Sequence, residues 1–449
     1  MPRLSATTRP VTSTELDMHR LAGVWLPFLT LSVAAAAQEP SGYWSGTLDR
    51  GGVTWRLEID VYRDADRHRA IIDLPDYGLY YREADVITRG PALDLRLVLR
   101  GDTVSAAFTV SGSAMRGSWS GTGPVAHATL TRRGAPRPRL RVEDVTFRNG
   151  DVTLHGLLLL PAGPGPFPAV VWTHGSGNQD VTTDWYRDRA YLVSRVGIAS
   201  LIYDKRGVGR SSGEMLAFPR SYAADALAGV ALLQNRADVL RDRIGVAGMS
   251  QGGGIAALAA VMSPDVRFIV AGSVSGISTA EQNDNVVRNF LPARGGSPEL
   301  LDSVMTLRRR LDAFHRTGEG RAALERDLAA FPRREWFMDW WLPAPPIERY
   351  DADVVAMLYE EPRELWKEVR TPALVIWGEA DAAVPAARSH QVIRDALRVA
   401  GNRDHLMRIF AGASHGLTLP GVDDVPWTWR MAPGAYELIA EWIRARVTR

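Results

Sequence analysis

Six short apolar runs in the second part of the chain each end in a glycine-rich loop. They are FPAVVWTHGSG (167–177), GIASLIYDKRG (197–207), DRIGVAGMSQGG (242–253), VRFIVAGSVSG (266–276), TPALVIWGEAD (371–381) and HLMRIFAGASHG (405–416). Their cores are continuously apolar rather than alternating, a pattern that requires burial on both faces. Helical stretches such as SYAADALAGVALLQNRA and ARSHQVIRDALRVAG separate them. Buried strands alternating with amphipathic helices predict a parallel sheet covered on both sides, an α/β fold. Ligands of such sheets bind beyond the carboxyl ends of the strands, so the chemistry is expected in the glycine-rich loops.

A different period governs the front of the chain. In VTWRLEIDVY, Val53, Trp55, Leu57, Ile59 and Val61 point one way and Thr54, Arg56, Glu58 and Asp60 the other. Leu93, Leu95, Leu97 and Leu99, then Val104, Ala106, Phe108 and Val110, repeat the alternation. Period two in short runs separated by turns predicts an antiparallel all-β sandwich or barrel over 40–133. GYWSGTL and RGSWSGTG, near its two ends, suit first and last strands that lie side by side in a closed barrel. A basic, proline-bearing linker follows (134–140), and the α/β domain is expected over 141–449. With 449 residues, the chain has room for both domains.

The start of the sequence reads as a secretory signal peptide over 1–37. His19 and Arg20 form a short basic lead, an apolar run extends from Leu21 to Ala37, and Ala35 and Ala37 precede Gln38. The run contains Pro27 and ends in alanines, which is marginal for a hydrocarbon core about 30 Å thick. The polar residues 1–17 leave Met1 and Met18 as alternative starts. The mature protein is expected to be exported, periplasmic or secreted, without a stable membrane anchor. The absence of cysteine excludes disulfides, thiolate metal sites, a cysteine nucleophile and a lipidated N-terminal cysteine. A net charge of +2 gives no case for nucleic acid. Nearly all positive charge is arginine, the lysines being Lys205 and Lys367 only, a bias attributed first to codon usage.

Ser250 stands in Gly248-x-Ser250-x-Gly252, after the strand run Ile244–Ala247 and before a small-residue helix. That is the strand–turn–helix setting of a nucleophile elbow, where glycines admit close backbone approach. A serine hydroxyl needs a base, and the base needs an orienting group. Asp381 follows the strand ALVIW, and His415 follows LMRIF on a loop before the last helix. Taken singly, an aspartate after glycine is commonly a turn residue and a loop histidine commonly inert. Together, in the order Ser, acid, His, they form a candidate catalytic triad. Acyl transfer also requires oxyanion donors. The expected pair is the backbone N–H of Gln251 and that of Ser176, with Gly175 and Gly177 as alternatives to Ser176. His174 is expected to brace its loop.

These motifs resemble those of the α/β-hydrolase superfamily over about residues 140–449. The resemblance is to secreted esterases and serine peptidase-like hydrolases with HGSG, YDKRGVGRS, G-x-S-x-G, G-x-x-D-x-x-V-P and a late SHG. It implies a mostly parallel sheet of about eight strands, the first antiparallel, with a helical cap. By position it puts the nucleophile on Ser250, the acid on Asp381 and the base on His415. Asp204, Arg206 and Gly207 match a loop that is mostly structural.

The stretch 277–365 is an insertion where this superfamily places its cap. Trp336, Phe337, Trp340, Trp341 and Leu342 are candidates to line an apolar pocket, or else to hold the cap together. The arginines Arg308, Arg309, Arg310, Arg333 and Arg334 read as a solvated face. The expected protein is an exported serine hydrolase acting on small-molecule esters or acyl compounds through an acyl-enzyme, with no cofactor or metal. Alternatives are a peptidase or amidase on short peptides, and a non-catalytic binding protein with an inactive hydrolase domain. For the β-domain, ligand binding, homodimer formation and shading of the active-site mouth remain open.

Overall fold

The computed structural model describes residues 39–447 apart from 100–101, 122, 216–217, 334–336, 339 and 422–429. The expected signal peptide, Arg334 and Trp336 lie outside the described residues. Eight antiparallel strands come first: β1 (Gly42–Arg50), β2 (Val53–Asp64), β3 (Arg67–Leu74), β4 (Leu79–Arg89), β5 (Ala92–Leu99), β6 (Asp102–Ser111), β7 (Ala114–Ser120) and β8 (Ala126–Gly134). They close into a barrel, because β1 pairs with β8 as well as with β2. The alternation explains the closure: Trp44, Leu57, Ile72, Ala84, Leu93, Phe108, Trp119 and Leu130, one from each of the eight strands, belong to one buried cluster. Asp60 departs from the pattern. It points away from the barrel core yet is buried, since the next domain covers it.

The second domain is a three-layer α/β fold. Its elements in order are β9 (Arg141–Asn149), β10 (Val152–Leu160), β11 (Phe167–Thr173), α1 (Asp184–Arg195), β12 (Ala199–Tyr203) and α2 (Pro219–Gln234). Then come β13 (Val239–Met249), α3 (Gln251–Met262), β14 (Ile269–Gly272) and the inserted helices α4 (Thr279–Ala293), α5 (Pro298–Thr317), α6 (Arg321–Ala330) and α7 (Ala352–Tyr359). The chain returns through α8 (Pro362–Trp366), β15 (Ala373–Gly378), α9 (Ala386–Val399), β16 (His405–Phe410) and α10 (Ala435–Val447). The sheet order is β16-β15-β14-β13-β11-β12-β10-β9. Every pair from β12 to β16 is parallel. The antiparallel strand is the second, β10, and not the first as the resemblance implied. The cause is local: the Asn149-Gly150 turn, with Gly150 at φ 57°, folds β9 and β10 into a hairpin before the crossovers begin. Apolar clusters fill both faces of the sheet, as the continuous apolar runs require.

The barrel is docked against α1 and α10. Arg82 of β4 bonds Asp184 (2.6 Å) and Asp188 (2.9 Å) of α1, and the Tyr80 N–H donates to Asp188 Oδ1 at 2.8 Å. Tyr81 stacks on Tyr191 with ring centroids 4.6 Å apart. Asp60 and Asp73 receive Arg195 of α1 together with Arg137 of the linker. Tyr62, Ile71, Tyr80 and Tyr81 of the barrel thus share one apolar cluster with Tyr191 and Tyr436 of the second domain.

The inserted helices have their own core, including Val287, Leu291, Phe314, Leu324 and Trp341. Arg308 is buried there, bonding Asp284 at 2.7 Å and the Trp341 carbonyl at 3.0 Å. It is therefore not part of a solvated arginine face: a guanidinium buried at 6 % exposure has to be paired and hydrogen-bonded.

Candidate active site

Because the strands β11, β13, β14, β15 and β16 run in parallel, their following loops emerge along one edge of the sheet. Ser250 caps β13 at φ 57° and ψ −124°, a conformation that costs a non-glycine residue about 1–3 kcal/mol. The surroundings hold it there. Its N–H donates to the Gly272 carbonyl at 2.7 Å, and the Thr173 hydroxyl donates to the Gly252 carbonyl at 2.8 Å. A Cβ on Gly248 would stand 2.5 Å from the Gly252 backbone, and one on Gly252 would stand 2.7 Å from the Thr173 carbonyl. The two glycines of the motif are thus needed for the turn to close.

Asp381 and His415 meet at the same edge. Asp381 Oδ2 lies 2.7 Å from His415 Nδ1, with the carboxylate side chain fully buried and the imidazole partly exposed. The other carboxylate oxygen accepts the N–H groups of Ala383 (2.8 Å) and Val384 (2.9 Å), which fix the carboxylate plane. The acid and histidine loops are laced together by backbone: Ala380 N–H donates to the Ala413 carbonyl at 2.8 Å. The Ser273 hydroxyl adds a bond to the His415 carbonyl at 2.7 Å. From the cap, Asn285 and Asn289 donate side-chain N–H groups to the carbonyls of Ala382 and Ala383 at 2.9–3.3 Å. Sequence reading passed over these asparagines, which carry no motif.

The loop after β11 lies on the other flank of Ser250. His174 is buried, and its Nε2 stands 2.5 Å from the Tyr203 carbonyl. Burial holds its pKa down at about 3, so the neutral ring donates that bond and braces the loop. The Gly175 N–H donates to the Tyr186 hydroxyl at 2.6 Å and is committed there. Ser176 is exposed at the loop tip, and Gln251 is the first residue of α3, where helix N–H groups lack partners within the helix. Beneath the loop is Lys205, buried, whose Nζ donates to Gly175 O (2.9 Å), Gly177 O (3.3 Å) and Gln251 Oε1 (3.2 Å). Neither Lys205 nor Tyr186 was singled out from the sequence. Asp204 and Arg206 are structural: Asp204 accepts the N–H groups of Val181 and Arg210, and Arg206 pairs with buried Asp225.

Of the pocket candidates, Trp341, Leu342 and Phe337 pack within the cap's own core, so Trp341 does not open onto a pocket. Trp340, 47 % exposed, is the described tryptophan of this group with a face to solvent. Among the described residues no His, Asp or Glu cluster is arranged to hold a metal ion.

Over 253 residues the chain is 30% identical to esterase EstD of Thermotoga maritima, a match that covers 54% of each protein. The chain therefore spans about half the length of the curated relative it matches. Among solved structures, the Pyrococcus furiosus esterase Pf2001 is 15% identical, with 68% of this chain and 93% of that chain covered at a TM-score of 0.42. Dienelactone hydrolase from Anabaena variabilis is 17% identical, with 69% and 98% covered at a TM-score of 0.38. The alpha/beta hydrolase fold profile matches residues 157–421, a segment that runs from β10 past His415 and includes Ser250 and Asp381. The chain belongs to the alpha/beta hydrolase fold family.

Proposed function

We propose that the protein is an exported serine hydrolase, a carboxylesterase that acts on small-molecule esters through an acyl-enzyme. The observation that carries this reading is the 2.7 Å bond between His415 Nδ1 and a buried Asp381 carboxylate at the edge where Ser250 is held in a strained turn. With Nδ1–H engaged, His415 Nε2 is the free basic nitrogen, and it takes the Ser250 proton as Oγ attacks the ester carbonyl. Asp381 holds the imidazole in that tautomer and stabilises its cation. The oxyanion is bound by the backbone N–H groups of Gln251 and Ser176, Gly175 being already engaged by Tyr186. The imidazolium then protonates the departing alcohol. A water deprotonated by His415 attacks the acyl carbonyl, and the acid leaves with Ser250 restored. The similarity to EstD, an esterase by name, favours esters over peptides.

A panel of p-nitrophenyl esters against aminoacyl-anilides, run on wild type and Ser250→Ala, tests the reading. Short acyl esters are expected to turn over in wild type only. Preferential anilide cleavage would replace the esterase by a peptidase, and no turnover of either by folded protein would favour a non-catalytic binding role. Export rests on the apolar run 21–37 and predicts a mature N-terminus at Gln38, which N-terminal sequencing checks.

A further inference from the structure

Lys205 is an unusual residue to find where it is. It is 2 % exposed, and among the described residues the three oxygens on its ammonium are neutral: two backbone carbonyls and one side-chain amide. A buried charge without a carboxylate is costly, and packing alone would be served as well by an apolar residue. The geometry of its acceptors gives it a use. In a trans peptide the C=O and the following N–H point in opposite directions. Turning the Gly175 carbonyl down onto Lys205 therefore turns the Ser176 N–H up and away from it. The loop lies against the nucleophile turn: a Cβ on Gly175 would be 3.4 Å from the Met249 carbonyl, and one on Gly252 would be 2.8 Å from that of His174. The third bond ties the ammonium to the side chain of Gln251, the residue directly after Ser250.

We propose that Lys205 is a positioning residue for the oxyanion hole, aiming the Ser176 N–H at the reacting carbonyl and fixing Gln251 beside it. This rests on the serine hydrolase reading above. A cation on the Gly175 carbonyl also draws electron density along the peptide, which makes the Ser176 N–H a stronger donor as charge develops on the substrate oxygen. Lysine suits the task better than the arginine used elsewhere in this chain, because a compact ammonium directs three donors to separate acceptors whereas a guanidinium presents a planar fork.

Among the described residues, few groups pack around the ammonium. Tyr222 of α2 lies with its ring 4.6 Å from Nζ, and His174, held neutral by burial, comes from the loop after β11. Tyr203 precedes it on β12 and its phenol is kept protonated by burial, while flanking Asp204 and Arg206 are engaged elsewhere. Desolvation brings the pKa of Lys205 down to about 8, so the charge is present at neutral pH and titrates in an accessible range.

The test uses the full chain with a p-nitrophenyl ester and a trifluoromethyl ketone as oxyanion-forming inhibitor. For Lys205→Met, kcat is expected to fall about a hundredfold with KM changed less than about threefold, and ketone affinity to fall with kcat. Wild-type kcat is expected to decline as pH rises from about 7 to about 9.5, and this decline is expected to vanish in Lys205→Met. Should the methionine variant not fold, Lys205→Arg, which keeps its charge throughout, is expected to show a flat profile over the same range. A folded Lys205→Met with wild-type kcat and an unchanged pH profile overturns the proposal, as does a Lys205→Arg that retains the alkaline decline. Wild type that neither turns over ester nor binds the ketone removes the underlying serine hydrolase reading instead.

Discussion

The two flanks of Ser250 are built by different means. On the acid side, Asp381 and His415 touch directly through their side chains. On the other flank, where we place the oxyanion hole, the groups proposed to act are backbone N–H donors. The loop that carries Ser176 is held by Lys205 and by Tyr186, residues of two other segments. The difference teaches that a charged pair advertises itself in sequence, whereas a backbone donor is only as well placed as the side chains beneath it.

Mutations can separate the flanks. The largest effect short of removing the nucleophile belongs to Asp381→Asn, for which kcat is expected to fall about 10⁴-fold with KM little changed. A loss below about tenfold would break the acid side of the comparison. Next comes the support of the oxyanion side at a distance. Helix α1 carries both Tyr186 and the carboxylates that hold Arg82 of the barrel. Arg82→Met leaves Asp188 buried without its cation and is expected to cost about 3–5 kcal/mol in denaturant unfolding. Unchanged stability would mean that the barrel is not braced through this pair.

His174 links the same flank to pH. Its folded pKa of about 3 lies below the ordinary value of 6.5, so below pH 6.5 the unfolded chain takes up a proton that the folded chain refuses. The contribution is complete above pH 6.5 and is lost progressively as pH falls toward 3, the loss at pH 5 being about 2 kcal/mol. Denaturant midpoints at pH 7 and pH 5 should fall further apart in wild type than in His174→Gln, and equal differences would contradict the assignment. Tyr186→Phe removes one neutral bond to the Gly175 N–H, worth about 1 kcal/mol, and is expected to lower kcat about fivefold. Trp340→Ala should be mildest, with stability changed by less than about 0.5 kcal/mol and KM by less than about threefold. A larger KM rise for aromatic esters would move Trp340 into the substrate pocket.

The fold was legible where periodicity is strong. Alternation in β2 and β5 announced a two-sided sheet, and the first and last strands of the front region, β1 and β8, pair as a closed barrel requires, although Trp119 of the second Trp-bearing stretch stands on β7. The continuous apolar runs of β11, β13 and β15 announced strands buried on both faces. What stayed hidden depends on tertiary partners. Asp60 reads as an outward polar residue, and only docking of α1 and the linker buries it beneath Arg195 and Arg137. Trp341 reads equally well as pocket wall or as cap core, because hydrophobicity gives no direction. Lys205 carried only a faint signal as one of two lysines in an arginine-rich chain, a signal shared by Lys367 in its partly exposed pair with Glu364, and burial is what sets Lys205 apart.

The central claim is that Ser250 is the nucleophile, and covalent labelling tests it most directly. A fluorophosphonate probe reacted with the full chain, followed by tryptic digestion and mass spectrometry, reads the modified residue. Cleavage after Arg243 and Arg267 gives the peptide 244–267, which holds both Ser250 and Ser263 and so provides an internal control. One adduct per chain on Ser250, absent in Ser250→Ala, is the result expected here. Folded wild type that stays unlabelled, or an adduct on Ser263 or another residue, would contradict it.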